Sequence, residues 1–95
     1  MLKKMPGIDR FRHSKDLYRA QAIVGENGGN DEWRINVKVW KYPHEQTWRY
    51  AYGCEGSLIT ATGEAYGPKS GEGEGFDTPV SARAAMQEAM EKDYA

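Results

Sequence analysis

Ninety-five residues, 39% hydrophobic and 28% charged, suffice for one domain with a modest core. A single cysteine excludes an internal disulfide framework, and no apolar run reaches the ~18 residues that a transmembrane helix needs. The net charge of −1 is unevenly spread: residues 1–19 sum to +4, 20–54 to zero and 55–95 to −5.

The start, MLKKMPGIDRF, lacks the apolar centre of a secretory signal, so a cytoplasmic location is expected. Residues 1–16 are basic and irregular, with Lys3, Lys4, Arg10, Arg12, His13 and Lys15, while Pro6 and Gly7 oppose an early helix. Ile8, Phe11 and Leu17 could dock one short turn on the core, but the segment reads mainly as a frayed or lightly docked terminus. Leu17 to Val24 reads as a strand with Tyr18, Ala20, Ala22 and Val24 on its apolar face. A helix from about Asp9 to Ala22 competes for part of this region. Gly25 to Asp31, GENGGND, is a loop rich in residues that tolerate positive φ.

Trp33 to Tyr52 reads as a β-hairpin. Side chains alternate across a strand, so a strand from Glu32 to Tyr42 puts Trp33, Ile35, Val37 and Val39 on one face. Arg34, Asn36, Lys38, Trp40 and Tyr42 fall on the other. A second strand, Thr47 to Cys54, groups Trp48, Tyr50, Tyr52 and Cys54, with Arg49 and Ala51 opposite. Pro43, His44, Glu45 and Gln46 suit the turn. Pairing Tyr42 with Thr47 sets Val39 against Tyr50, Val37 against Tyr52 and Ile35 against Cys54 on a buried face. The same register sets Trp40 against Arg49, a cation–π pair in prospect, and Arg34 against Glu55. A one-residue slip would mix the two faces. Pairing Val24 with Trp33 brings Ala22 to Ile35 and Ala20 to Val37 on the same buried side.

Leu58 to Tyr66 reads as a fourth strand, with Gly63 marking a bulge or a close approach. Gly67 to Gly75, GPKSGEGEG, reads as a flexible loop. Thr78 then caps a helix whose first residue is Pro79, running to about Lys92. Its apolar stripe is Ala82, Ala85, Met86, Ala89 and Met90; Arg83, Gln87, Glu88, Glu91 and Lys92 lie opposite. Glu88 and Lys92 form an i,i+4 pair. The fold class is therefore α+β: an antiparallel sheet of three or four strands with one face covered by the C-terminal helix.

Little in the sequence points to catalysis. Cys54 aims at the core, far along the hairpin from His44, which disfavours a Cys–His nucleophile. Two separated histidines and one cysteine do not make a transition-metal site, and Glu72, Glu74 and Asp77 lack calcium-loop spacing. Gly71, Gly73 and Gly75 before a helix suggest a phosphate cradle, but Glu72 and Glu74 between them repel phosphate. No cofactor is expected.

The best binding candidate is the free sheet face with Arg34, Lys38, Trp40, Tyr42 and Arg49. Cations interleaved with aromatics stack nucleic-acid bases, and the same residue types dominate protein–protein hot spots. The acidic C-terminal half tips the balance towards a protein or nucleoprotein partner. The acidic segment with Glu72, Glu74 and Asp77 is a second candidate, suited to a basic surface that normally holds nucleic acid. A second copy of the chain could equally close the free face and bury Trp40.

Two resemblances bear on these expectations. GEGEGFDTPVSARAAMQEAM resembles the glycine-containing loop and final helix of the double-stranded-RNA-binding fold. Where that family carries lysines for phosphate contact, this chain has Pro79-Val80-Ser81-Ala82-Arg83, with Arg83 the one base. Small size, one α+β domain, acidic patches, exposed aromatics and no catalytic motif also resemble small phage-encoded anti-defence proteins, including anti-CRISPR proteins. That resemblance implies a non-enzymatic inhibitor that occludes a partner's functional surface.

Overall fold

The computed structural model describes residues 2–25, 32–53, 58–59, 65–66 and 69–94. The chain runs β1 (Leu2–Lys4), a 3-10 turn (Ile8–Arg10), β2 (Arg12–Ser14), β3 (Leu17–Gly25), β4 (Glu32–Trp40), β5 (Trp48–Gly53), β6 (Leu58–Ile59), β7 (Ala65–Tyr66), β8 (Gly71–Phe76) and α1 (Pro79–Asp93). Period-two alternation sends Ala22, Val24, Ile35, Val37, Val39 and Tyr52 to one face of the sheet. There they are buried with Ala82, Met86 and Met90 of α1. The protein is thus α+β, with one helix lying on one face of an antiparallel sheet.

The central registers agree with the hydrophobic pattern. Val39 pairs with Tyr50, Val37 with Tyr52 and Trp40 with Arg49. Val24 pairs with Trp33, Ala22 with Ile35 and Ala20 with Val37. Any odd slip would expose Ile35 and Val37 and bury Arg34 and Lys38. The expected pairs of Ile35 with Cys54 and of Arg34 with Glu55 lie outside the described residues, as does Gly63. Tyr42 is not a strand residue: β4 ends at Trp40, and the Glu45 amide donates to the Tyr42 carbonyl (2.9 Å) to close the turn.

The sheet is larger than expected, with six strands in place of three or four and the path β1–β3–β4–β5–β8. Two stretches account for the difference. The first is the N-terminal arm, which is docked and not frayed. β1 pairs with the far end of β3 and β2 with its near end. Between them the short turn drops Phe11 into the core at 3% exposure, and no helix forms over Asp9–Ala22. The Arg83 guanidinium, expected on the solvent face of α1, reaches back to the Pro6 carbonyl (2.7 and 2.9 Å) and the Met5 carbonyl (3.3 Å). A planar fork with five donors suits two adjacent carbonyls.

The second is GEGEGF, read as loop, which forms β8 against β5. Its alternation of Gly and Glu is a strand pattern in which Gly71 and Gly73 take the half-buried, inward-facing positions. Tyr52 faces Gly71 and Tyr50 faces Gly73, and the two stacked rings lie over the bare glycine backbone. A bulge in β8 precedes Phe76, where Gly75 sits at φ +90°, a conformation that favours glycine. The fourth strand expected over Leu58–Tyr66 is instead two short strands, β6 and β7, that pair with each other.

The helix begins as the sequence implies and ends one residue later, at Asp93. Thr78 accepts from the Ser81 amide (3.1 Å), and the Ser81 hydroxyl accepts from the Thr78 amide (3.3 Å). Glu88 and Lys92 pair at 3.8 Å. At the far end the Tyr52 hydroxyl donates to Asp93, and the Tyr94 hydroxyl donates to the Lys69 carbonyl (2.5 Å). These contacts join the C-terminus of α1 to β5 and to the approach to β8.

Candidate open-face binding site

With α1 on one face, the other face of the sheet is open. Alternation places Arg19, Gln21 and Ile23 of β3 there, opposite Lys38, Asn36 and Arg34 of β4. Gln21 donates its amide to Asn36 across the strands (3.2 Å). β2 adds Arg12 opposite Arg19 and Ser14 opposite Leu17, and β1 adds Lys4 opposite Ile23. On the other side of β4, Trp40 faces Arg49, Lys38 faces Ala51 and Asn36 faces Gly53.

Two hollows share Leu17, Arg19, Ala20 and Asn36, so they form one continuous depression. The larger, about 910 Å³, is lined by Lys4, Arg10, Arg12, Arg19 and Arg34, among others. The smaller, about 610 Å³, extends past Lys38 to Ala51 and Gly53. The short side chains of Ala51 and Gly53 leave a trough beside the long ones of Arg19 and Lys38. Among the described residues, no carboxylate lines either hollow. Among the described residues, none of these six cations forms an ion pair with a carboxylate.

The aromatic part of the face continues β4. The Lys38 ammonium lies 4.3 Å from the centre of the Trp40 ring. Tyr42 meets Trp40 edge-on at 6.5 Å and carries His44 stacked at 6.0 Å. Tyr42 is 45% exposed. The cation over Trp40 is therefore Lys38, not Arg49, which lies over Tyr42 at 5.3 Å.

Arg49 is committed elsewhere. Its guanidinium binds Glu45 through two hydrogen bonds (2.7 and 3.1 Å) and reaches Glu74 at 2.8 Å. The bond from Arg49 holds the Glu45 carboxyl below its ordinary range, and Glu45 in turn raises the Arg49 guanidinium. Arg49 thus clamps the turn and the edge strand together.

Of the residues singled out in the sequence, Arg34, Lys38 and Trp40 share the open face, and Tyr42 extends their row into the turn. Glu72, opposite Ala51, lies on the same face at its far edge. The acidic pair Glu72 and Glu74 is thus the margin of that face and not a separate surface. Asp77 lies beyond the end of β8, next to the Thr78 cap. Sequence reasoning placed Lys4, Arg10 and Arg12 in a basic terminal arm and not on the sheet face, and it missed Arg19. Arg19 and Gln21 alternate with Tyr18, Ala20 and Ala22, and that alternation was the available signal. Arg12 carries none, because its partner strand lies beyond a turn.

Among the described residues, no three His, Cys, Asp or Glu side chains gather as metal ligands, and no helix is long and apolar enough to cross a membrane. No family model matches the chain, and neither a curated protein nor a solved structure was found that matches it.

Proposed function

We propose that the protein is a non-enzymatic, cytoplasmic binding module whose open sheet face holds a nucleic acid. The observation that carries this reading is the joined depression bordered by Lys4, Arg10, Arg12, Arg19, Arg34 and Lys38, with no carboxylate among its described lining residues. A polyanion gains from such a surface by Coulomb attraction and by release of its condensed counterions. The net charge of −1 does not oppose this: Glu72 and Glu74 stand at the far margin of the face, away from the described lining of the depression. Ala51 separates Lys38 from Glu72 by two strand spacings, about 10 Å, roughly one screening length at physiological salt.

Fluorescence anisotropy with labelled oligonucleotides tests the reading. Binding should weaken steeply and log-linearly with salt, and Arg34→Glu should weaken it further without unfolding the domain. Absence of salt-dependent binding by the wild-type chain would overturn it.

A second reading is favoured by Tyr42, an exposed aromatic fixed between Trp40, His44 and Arg49. Trp, Tyr and Arg together form protein hot spots. On that reading the module occludes a functional surface of a protein or nucleoprotein partner, as an inhibitor of the small phage anti-defence kind would. Glu72, Glu74 and Asp77 would then meet basic groups. A partner that survives nuclease treatment and is lost on Tyr42→Ala supports this alternative.

A further inference from the structure

The cations of the open face are aligned as well as concentrated. Arg12 pairs with Arg19, and Arg19 pairs with Lys38, so three cations stand side by side across β2, β3 and β4. Directly opposed residues on one sheet face have Cβ atoms about 4.5–5.5 Å apart, and like charges at that spacing destabilise the sheet. The next residue in the row is Ala51, so no carboxylate relieves the repulsion from that side.

The rows on either side differ in chemistry. About 6.8 Å along the strands lies the row of Ser14, Leu17 and Trp40. On the other side lies the amide row of Gln21 and Asn36, joined by their hydrogen bond. A line of positive charge therefore runs between an apolar, aromatic row and an amide row.

Resting on the nucleic-acid reading above, we infer that Arg12, Arg19 and Lys38 grip successive phosphates of a single nucleic-acid strand that crosses the sheet. Its bases turn towards Leu17, Trp40 and Tyr42. The phosphates neutralise the opposed cations. An aromatic row beside a phosphate track suits unpaired bases, whose faces are free to stack. A duplex keeps those faces inside its own stack and leaves Trp40 and Tyr42 without a ligand.

The test uses the full chain with fluorescein-labelled oligothymidylate, alone and annealed to its complement, together with thermal melts of the free protein at low salt. The wild-type chain should bind the single strand more tightly than the duplex. Arg19→Gln should weaken single-strand binding by roughly tenfold, the loss of about one charged hydrogen bond. It should also reduce the slope of log affinity against log salt by about 0.7, the value for one phosphate on a single strand. The same change should raise the melting temperature of the free domain, because it removes the middle charge of the row. Loss of affinity combined with gain of stability distinguishes a ligand site from a structural residue. If Arg19→Gln leaves affinity and salt slope unchanged, or lowers the melting temperature, the row is not the phosphate track, although wild-type binding would keep the open face as the site. Duplex binding equal to or tighter than single-strand binding overturns the single-strand assignment. If the wild-type chain binds neither form, the nucleic-acid reading fails, and this inference with it.

Discussion

The ring of Tyr50 lies against the backbone of its cross-strand partner Gly73, so closely that a β-carbon on Gly73 would overlap the ring. The same holds one pair along, where a β-carbon on Gly71 would stand 2.5 Å from the Tyr52 hydroxyl. Glycine here is a packing requirement of the two tyrosines. Gly73→Ala should cost about 1–3 kcal/mol, the usual penalty for overpacking, read as a lower denaturant midpoint. Glu72→Ala, on the exposed face of the same strand, should change the midpoint by no more than about 0.5 kcal/mol.

Tyr52 joins β5 to the end of α1 through its bond to Asp93. Burial, together with this bond to Asp93, raises the ionisation of its phenol well above the ordinary tyrosine value of about 10. The folded state therefore holds the Tyr52 proton more tightly than the unfolded chain does. The associated stability is complete below pH ~10 and is lost as pH rises through and beyond that value. Tyr52→Phe should cost about 1.5–3 kcal/mol at neutral pH. It should also flatten the alkaline limb of a stability profile followed by circular dichroism.

Phe11 makes the N-terminal arm part of the core. Phe11→Ala should destabilise the domain by about 3–5 kcal/mol, the range for deleting a buried phenyl ring. A loss near zero in urea denaturation would mean that the arm contributes no core packing.

Arg83 holds the same arm from the helix side, through the Met5 and Pro6 carbonyls. Arg83→Lys keeps the charge but not the fork, so it should not restore what Arg83→Ala removes. Both variants should speed amide exchange at Leu2–Lys4 while leaving β4 protected, a pattern that hydrogen-exchange mass spectrometry resolves.

Arg49 ties the turn to the edge strand, and its bond to Glu45 holds that carboxyl below its ordinary range. A lowered carboxyl stabilises the fold above the ordinary glutamate value of about 4.3, and the contribution is lost as pH falls. Glu45→Gln should therefore reduce the loss of stability as pH falls below about 4.3. Two-dimensional NMR should show the Glu45 signal shifting at lower pH than those of ordinary glutamates.

Several features of the fold follow from local chemistry alone. The alternation Ile35-Asn36-Val37-Lys38-Val39 separates a buried from an open face whatever packs on it, and only one parity of register buries every apolar residue. Thr78-Pro79 starts a helix by capping geometry, and Ala82, Met86 and Met90 give it one apolar stripe. These short-range preferences determined the core hairpin, the helix and the existence of a free face bearing Arg34, Lys38 and Trp40. Tertiary packing decided the rest. Glycine at the inward-facing positions of β8 looks like loop until Tyr50 and Tyr52 lie across it, and Phe11 looks like a terminal residue until two short strands hold it over the core. The row of Arg12, Arg19 and Lys38 has no sequence signature, because residues 12, 19 and 38 become neighbours only when three strands align in register. Charge opposition across a sheet depends on that register, and long-range pairing sets it.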